Sequence, residues 1–442
     1  MDPRDIADVT TFTYTFLMNG FAPDSNWTAL FQLGERLRLR FINAGAGTYS
    51  NLRIPGLPMT VVSVDGQHVQ PVVVDEIHIA VAKTYDVIVA PKKARAYTIF
   101  AEAMDRSGFA RGTLATETGM TAPLPARRKR NVATMADIGM GDLAGMQGMS
   151  EGVRTGDATK MADMATPETK TEGIDPAPPA MDVMPEMPGM KVPDMQINAA
   201  PKADSMIKSS PVKHRPDTHG PANSAVPMET KSRLDEPGIG LENSGARVLL
   251  YSDLRSPQPG EEHRPLSREI ELHLTGNMER YMWDFDGKKF SETELIKFCF
   301  DERVRLTLVN DTMMNHPIHL HGMFMELDNG AGLFKPKKHT VNVKPAERLP
   351  LDSTTDATGN WAFHRNILLP MEMGMFRVVS VVEKKKEELS REIRPLPYDN
   401  FLHRCGQRGW AFCIFNSRNR ADQSGASGPT RHFNCKKRRR HR

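Results

Sequence analysis

Hydrophobic and polar residues alternate in short runs over the first quarter of the chain. Leu37, Leu39 and Phe41 alternate with three arginines, which is the period of two of a strand with one buried face. Similar runs follow, among them MTVVSV, YDVIVA and AYTIFAEAM, and turns rich in Gly, Pro and Asn separate them. Several strands at such short intervals favour a β-sandwich or a barrel for residues 1–125.

The alternation stops over residues 126–245 and returns over residues 246–384. The intervening stretch is rich in Met, Pro, Ala, Asp and Lys, as in DPAPPAMDVMPEMPGMKVPDM, and shows neither a helical nor a strand period. Such a stretch buries too little apolar surface to offset the entropy of ordering it, so we expect a long disordered Met-rich linker. Residues 385–442 form a basic tail that we also expect to be disordered.

An internal repeat connects the two strand-rich parts. Residues 34–43, GERLRLRFIN, match residues 301–310, DERVRLTLVN, and both runs close on Asn. The repeat predicts two copies of one β domain. Aligned without a gap, Leu52 and Ile54 fall opposite His319 and His321, so only the second copy would carry metal ligands.

Composition narrows the function classes. A net charge of +4 over 442 residues indicates no general affinity for nucleic acid or membrane, although the closing KKRRRHR could make the tail an interaction module for polyanions. We expect no membrane span, because no apolar run approaches roughly 20 residues.

The opening MDPRDIADVT lacks the basic and apolar regions that an export signal contains. The four cysteines show no CxxC spacing, so neither a disulfide framework nor a zinc ribbon is indicated.

The run HPIHLHG contains three histidines. On a strand, His319 and His321 point to the same face and can present ring nitrogens to one space, whereas His316 points toward a separate site. Neutral imidazole suits zinc, copper, iron or nickel. The thioether-rich MEMGM that follows His364 favours copper, because soft sulfur ligands select it. The alternative is that these histidines are hydrogen-bonded and partly buried, and that the methionines fill core gaps.

Other candidates carry weaker signals. Cys299 lies in a strand-like run and is most simply a small buried hydrophobe. His68, His78 and His339 are isolated in the sequence, and we expect no ligand role for them.

Three of these segments, HPIHLHGM, KKHTVNV and GNWAFH with the following MEMGMFRV, resemble the last domain of multicopper oxidases, in particular of the bacterial copper resistance protein A group. NWTALFQLGERLRLRFINA and RIPGLPMTVVSVDGQHVQPV are similar to its middle domain. The resemblance implies an all-β protein with two cupredoxin-like Greek-key β-sandwich domains and copper as cofactor. It also implies a periplasmic location, and a reaction in which cuprous copper or phenolics are oxidised while dioxygen is reduced to water.

The resemblance also implies roles for single residues. His316 and Met375 would belong to a mononuclear blue copper site. A cluster of three copper ions would be bound by His319, His321 and His364. Copper ions are the expected partners, with dioxygen if the protein is active.

Departures from the family pattern put that activity in doubt. The family reads His-Cys-His where this chain has His364, Arg365 and Asn366, and a further His where this chain has Pro370. Arg365 is permanently cationic and has no lone pair for a metal. The first domain of the family, which supplies half of the cluster ligands from Trp-His-Gly and His-Ser-His motifs, has no counterpart in the sequence.

The departures leave two interpretations of the function. One is a truncated and impaired copper-tolerance oxidase. The other is a non-catalytic protein that sequesters copper with its remaining histidines and the Met-rich linker. In that linker methionine recurs at every third position, at Met181, Met184, Met187 and Met190.

Overall fold

The protein is almost entirely β-structure in the computed structural model, which describes residues 6, 14–140, 210–211, 223, 226–277, 282–367, 374–383 and 413–418. Helix in this part of the chain is confined to three 3-10 turns, Tyr251–Asp253, Phe290–Glu292 and Gly332–Phe334. No helix in the described ranges is long and apolar enough to cross a bilayer. The all-β fold class is confirmed.

The first sandwich is built from nine strands. They are β1 Trp27–Leu30, β2 Leu37–Ile42, β3 Ser50–Arg53, β4 Met59–Val64, β5 Gln67–Val74, β6 Glu76–Ile79, β7 Thr84–Val89, β8 Tyr97–Ala103 and β9 Phe109–Ala115. One sheet has the order β1-β9-β8-β3-β6, and the other contains β2-β7-β4-β5. In β2 the apolar residues are buried, while Arg38 and Arg40 turn away from the core and bind Asp86 of β7.

The second sandwich follows two short strands, β10 Ser210–Pro211 and β11 Glu229–Thr230. Its strands are β12 Arg268–Asn277, β13 Met282–Phe285, β14 Ile296–Cys299, β15 Arg303–Asn310, β16 His316–Leu320, β17 Met325–Leu327, β18 Lys337–Lys338, β19 Thr340–Val343, β20 Arg348–Thr354, β21 Gly359–Arg365 and β22 Phe376–Val382. They form the sheets β14-β22-β21-β16-β19 and β13-β12-β15-β20-β17-β18. In the predicted tail, β23 Cys413–Arg418 pairs with β2, and the other tail residues lie outside the described ranges.

The two sandwiches share one strand order. The sheet β1-β9-β8-β3-β6 corresponds to β14-β22-β21-β16-β19, and β2-β7-β4-β5 corresponds to β15-β20-β17-β18. The two asparagines that close the repeated runs make equivalent contacts. Asn43 donates its side-chain amide to the Ile79 carbonyl at 3.1 Å, and Asn310 donates to the Val343 carbonyl at 3.1 Å.

These contacts fix which residues of the two copies correspond. Ser50 lies opposite Ile79 in the first copy, and His316 lies opposite Val343 in the second. Ser50 and His316 therefore occupy matching positions. The loop before them is one residue longer in the first copy, because the asparagine amide there bonds a carbonyl five residues ahead instead of four.

The extra loop residue shifts the match between the copies. The ungapped alignment that set Leu52 and Ile54 against His319 and His321 is wrong by one position. Leu52 and Ile54 both face the core of the first sandwich. The residue that matches His319 is Arg53, which lies three positions after Ser50 as His319 lies three after His316.

A buried ion-pair cluster surrounds Arg53 at this position of the first sandwich. The Arg53 guanidinium lies 3.9 Å from the Glu76 carboxylate and 3.7 Å from that of Glu102, and both carboxylates are fully buried. Arg128 donates two hydrogen bonds of 2.5 Å to Glu76. Arg53 also stacks over the ring of Phe100, at 5.0 Å from its centroid.

Both ends of the predicted linker are part of the folded protein. Ala133, Ile138 and Ile239 are buried in one apolar cluster with Tyr49 of the first sandwich and Ile367 of the second. This corrects the predicted limits of the linker, residues 126–245. The apolar residues at its two ends are buried where the two sandwiches meet. Its central residues lie outside the described ranges.

Candidate metal centre

Strand β16 positions the predicted histidines. His316 is its first residue and His319 its fourth, and His321 follows its end. Because β16 pairs with both β19 and β21, His319 lies directly opposite Thr340 on one side and His364 on the other. The pairing of β16 with β21 therefore brings His364 to the histidines of the HPIHLHG run.

His319, His321 and His364 form an imidazole cluster. The His321 ring centroid lies 4.5 Å from that of His319 and 5.2 Å from that of His364. The Nε2 atoms of His321 and His364 are 3.0 Å apart. Two imidazole nitrogens that bind one metal ion at about 2.0–2.1 Å stand roughly 3 Å apart. The separation of these two atoms thus suits a shared ion.

Hydrogen bonds to the backbone orient two of the rings. His319 Nδ1 donates to the His339 carbonyl at 2.6 Å, and His364 Nδ1 donates to the Arg365 carbonyl at 2.9 Å. A neutral ring whose Nδ1 carries the proton has its lone pair on Nε2. Such bonds are the usual support of metal-binding histidines, because they fix the tautomer and the ring direction.

The cluster is uncharged near neutral pH. Burial lowers the pKa of His319, and it lowers the pKa of His364 to about 4. Partial burial and the neighbouring His319 ring lower the pKa of His321 as well. Neutral imidazole is the form that binds metal ions, so these rings need not lose a proton first.

The cluster is not a closed metal site as it stands. In the described part of the chain, no three His, Cys, Asp or Glu side chains converge as a complete site. Two rings of the cluster converge through their Nε2 atoms, and the ring of His319 lies beside both, 4.5 Å from the ring of His321 and 5.8 Å from that of His364. The donor set of neutral nitrogens fits copper.

His316 lies in a separate, fully buried environment. Its ring packs edge-on against Trp283 at 5.5 Å, and its Nε2 lies 2.5 Å from Thr312 Oγ1. The Thr312 hydroxyl donates to Asn310 Oδ1 at 2.8 Å, so His316 Nε2 is the donor in its own bond. His316 Nδ1 then carries a lone pair, and it has no hydrogen-bond partner among the described residues.

Arg365 occupies the neighbourhood in which the family has a cysteine. Its side chain is fully buried, lies over Trp283 at 5.0 Å and donates to the Asn315 carbonyl at 3.2 Å. Burial and the charge of Arg365 hold the pKa of His316 well below its usual value. A guanidinium that disfavours a proton on His316 also disfavours a metal cation there.

Met375 is fully buried in the core of the second sandwich, and its carbonyl accepts a hydrogen bond from the Arg365 amide at 3.2 Å. Pro370 lies outside the described residues. The buried thioether and the lone pair of His316 suit a blue copper site. The set as a whole does not fit one, because Arg365 supplies a positive charge instead of a thiolate.

His339, which is isolated in the sequence, lies beside the imidazole cluster in the structure. Its ring lies 5.1 Å from that of His319, and its carbonyl holds the His319 ring. The contact arises because Thr340, the next residue, pairs with His319 across β16 and β19. The run KKHTVNV contains His339, but its proximity to His319 follows only from the pairing of β16 with β19. His78 has a structural role, stacked on Tyr49 at 5.4 Å.

Comparisons with known proteins agree with this organisation. The multicopper oxidase family profile matches residues 3–121, and a second multicopper oxidase profile matches residues 263–385. Copper resistance protein A of Escherichia coli is 47% identical over 87% of this chain and 62% of its own length. Copper resistance protein A of Pseudomonas syringae pv. tomato is 46% identical over 87% of this chain and 62% of its own length.

The chain thus spans less than two thirds of the length of these relatives. Among solved structures, Fet3p, a multicopper oxidase that functions in iron import, is 15% identical, with a TM-score of 0.47 over 80% of this chain and 57% of that protein. The predicted resemblance to the copper resistance protein A group is confirmed by the relatives' sequence identity. The chain belongs to the multicopper oxidase family, whose members use copper as cofactor.

Proposed function

We propose that this protein binds copper in a copper-tolerance role and holds the metal at the imidazole cluster. The observation that carries the proposal is the convergence of the Nε2 atoms of His321 and His364, 3.0 Å apart, beside the neutral ring of His319. Bound copper would supply one-electron redox chemistry. The name of the relatives, copper resistance protein A, and the periplasmic location implied by the family support the same role.

The role of the histidines in this proposal is to offer nitrogen lone pairs at fixed positions. The backbone carbonyls of His339 and Arg365 keep the Nδ1 protons of His319 and His364 in place. The Nε2 atoms of these two rings then carry lone pairs and can bind without a change of tautomer. His321 Nε2 donates its proton to His364 Nε2 in the metal-free protein, and copper would replace that bond while the His321 proton moves to Nδ1. The Met-rich linker is proposed as a second source of soft ligands through Met181, Met184, Met187 and Met190, which lie outside the described residues.

A second candidate function is oxidase turnover, with cuprous copper or phenolics as reductant and dioxygen as oxidant. The lone pair on buried His316 Nδ1, in the same core as Met375, favours it. Arg365 opposes it, because a buried guanidinium at the mononuclear position impairs the uptake of electrons through a metal there. We therefore place copper binding without efficient turnover first.

Copper titration of the purified protein tests the first proposal. The triple variant His319→Ala, His321→Ala, His364→Ala should lose at least about tenfold in affinity for copper at this site, because all three imidazole donors are gone. The matched control is His68→Ala, which removes an exposed histidine far from the cluster in sequence. Bound copper is counted by mass spectrometry, and its nitrogen ligands are read by electron paramagnetic resonance. Equal binding by the triple variant and the control would contradict the proposal.

Oxygen uptake separates the two candidate functions. Loaded protein supplied with cuprous copper or a phenol should consume oxygen no faster than free copper does, and should lack an intense thiolate-to-copper absorption. Steady oxygen consumption that disappears in the triple variant would establish the second candidate instead.

A further inference from the structure

A fully buried ion cluster lies where the first sandwich meets the imidazole-bearing strands of the second. It consists of Asp65 and Lys83 from the first sandwich and Lys338 from the second, which we call the interface ion cluster. Asp65 Oδ2 lies 2.8 Å from Lys338 Nζ and 3.7 Å from Lys83 Nζ, and the exposure of all three side chains is 1% or less. Neither the sequence motifs nor the proposed metal ligands account for these charges.

The interface ion cluster holds the segment Lys338–Thr340 at two points. Lys338 is bound by Asp65, and the Thr340 carbonyl accepts a hydrogen bond from Lys83 Nζ at 3.0 Å. Lys83 also donates to the Tyr251 hydroxyl at 2.8 Å. A backbone segment fixed at both ends has little freedom to move the carbonyl between them.

That middle carbonyl belongs to His339, and it is the acceptor of the His319 Nδ1 hydrogen bond at 2.6 Å. Thr340 Oγ1 lies a further 3.3 Å from the same His319 nitrogen. The chain of contacts therefore runs from Asp65, through Lys338 and the His339 carbonyl, to the tautomer and direction of His319.

The electrostatics of the cluster agree with an ionised carboxylate. Burial alone would raise the pKa of Asp65, but Lys338 and Lys83 outweigh burial and lower it to about 2. Burial lowers the pKa of Lys338 to about 8, although Asp65 opposes this shift. Burial lowers the pKa of His319, and the charge of Asp65 opposes this shift.

We propose that the first sandwich, which contributes none of the proposed copper ligands, positions the candidate copper site of the second through Asp65 and Lys83. Asp65 is a positioning residue that acts on His319 through Lys338 and the His339 carbonyl. The inference rests on the proposed copper function for its metal readout, but the hydrogen bond it concerns is present in the metal-free protein.

The first test reads that hydrogen bond without metal. In protein with ¹⁵N-labelled histidine, the Nδ1 proton of His319 is identified by its loss in His319→Gln, and its exchange with solvent is measured. Asp65→Asn should speed this exchange at least about tenfold, because the segment Lys338–Thr340 loses its anchor. Asparagine accepts the positive φ of 50° at this turn as readily as aspartate does.

The matched control is Asp86→Asn. Asp86 is also a buried aspartate of the first sandwich with two basic partners, Arg38 and Arg40, but its contacts stay within that sandwich. It should leave the His319 proton unchanged. If Asp65→Asn does not fold, Lys338→Met serves in its place, since it leaves Asp65 and Lys83 as a neutral pair.

The second test is a copper titration of the same variants. Asp65→Asn or Lys338→Met should weaken copper binding by about 10- to 100-fold, the usual cost of losing support for a metal-binding histidine, and Asp86→Asn should not. Unchanged proton exchange in Asp65→Asn and Lys338→Met, or an equal change in Asp86→Asn, would overturn the inference. Failure of the wild-type protein to bind copper would overturn the proposed function, while the proton exchange would still decide the positioning role.

Discussion

At the scale of single residues, Arg365 determines whether the environment of His316 in the second sandwich can bind a metal ion. The sequence alone predicted its effect, because a guanidinium has no lone pair in any surroundings. The structure adds its location, fully buried over Trp283, which also contacts His316. The positive charge and the available nitrogen thus share one dry environment, where charges interact more strongly than in water.

Replacing Arg365 by cysteine should open this environment to metal. We expect Arg365→Cys to bind on the order of one additional copper ion per chain and to gain a strong thiolate-to-copper absorption, because a soft anionic ligand replaces the cation beside His316 Nδ1. The control Arg365→Ala removes the charge without adding sulfur and should show no such band. The prediction fails if both variants take up copper alike and remain colourless.

The proposed ligand residues could be predicted from the sequence to different degrees. His319 and His321 follow from strand periodicity within one short run, which is local information. His339 comes close to His319 because β16 pairs with β19. The interface ion cluster comes close to His319 because the two sandwiches are in contact. No local pattern contains these contacts, and the same limitation produced the one-residue error in the alignment of the repeat.

At the scale of elements, β12 is tied to its surroundings by a charged histidine. His273 Nδ1 lies 2.7 Å from Asp311 Oδ2, and its Nε2 lies 3.1 Å from Glu271 Oε1. Burial lowers the pKa of His273, but the hydrogen bonds and charges of the two carboxylates outweigh burial and raise it to about 9. The protonated ring therefore joins β12 to the end of β15.

This tie gives the stability of the protein a pH dependence. Because the folded pKa of His273 is raised, its contribution is fully present below its unfolded value near 6.5 and is lost as the pH rises through about 9. We expect His273→Gln to lower the free energy of unfolding by about 2–3 kcal/mol more at pH 6 than at pH 10. Urea denaturation at both pH values measures this, with the exposed His263→Gln as control. A penalty that does not depend on pH would contradict the role of the charge.

The strands themselves were largely predictable, because alternation reports one buried face wherever it occurs. In β2 the alternating residues that the sequence places inside are inside. The ordered ends of the linker were not predictable in this way. The few apolar residues of these ends show no regular spacing in the sequence. They are buried because they pack in one apolar cluster with residues of both sandwiches.

At the scale of the whole molecule, the first linker end is fastened to the first sandwich by charge. Arg128 supplies two hydrogen bonds to Glu76, whose side chain is fully buried. Removing one partner of such a pair leaves a charge in the interior without adequate compensation. Arg53, a second described cation near Glu76, lies 3.9 Å away and is shared with Glu102.

We expect Arg128→Ala to lower the free energy of unfolding by about 3 kcal/mol. The adjacent and exposed Arg127→Ala should change it by less than about 0.5 kcal/mol. Chemical denaturation followed by intrinsic fluorescence measures both variants. Similar small effects of the two substitutions would show that the linker end is not fastened by Arg128.

The two sandwiches share a strand order but carry different polar groups at one matching position, an ion-pair cluster in the first copy and imidazoles in the second. At the position of Arg53, the charged groups of the first copy are already paired, because guanidinium groups lie against both buried carboxylates. At the matching position of His319, the second copy keeps unshared electron pairs available. Transplanting a copper centre into the first copy would therefore require the removal of its opposing ions as well as the insertion of histidines.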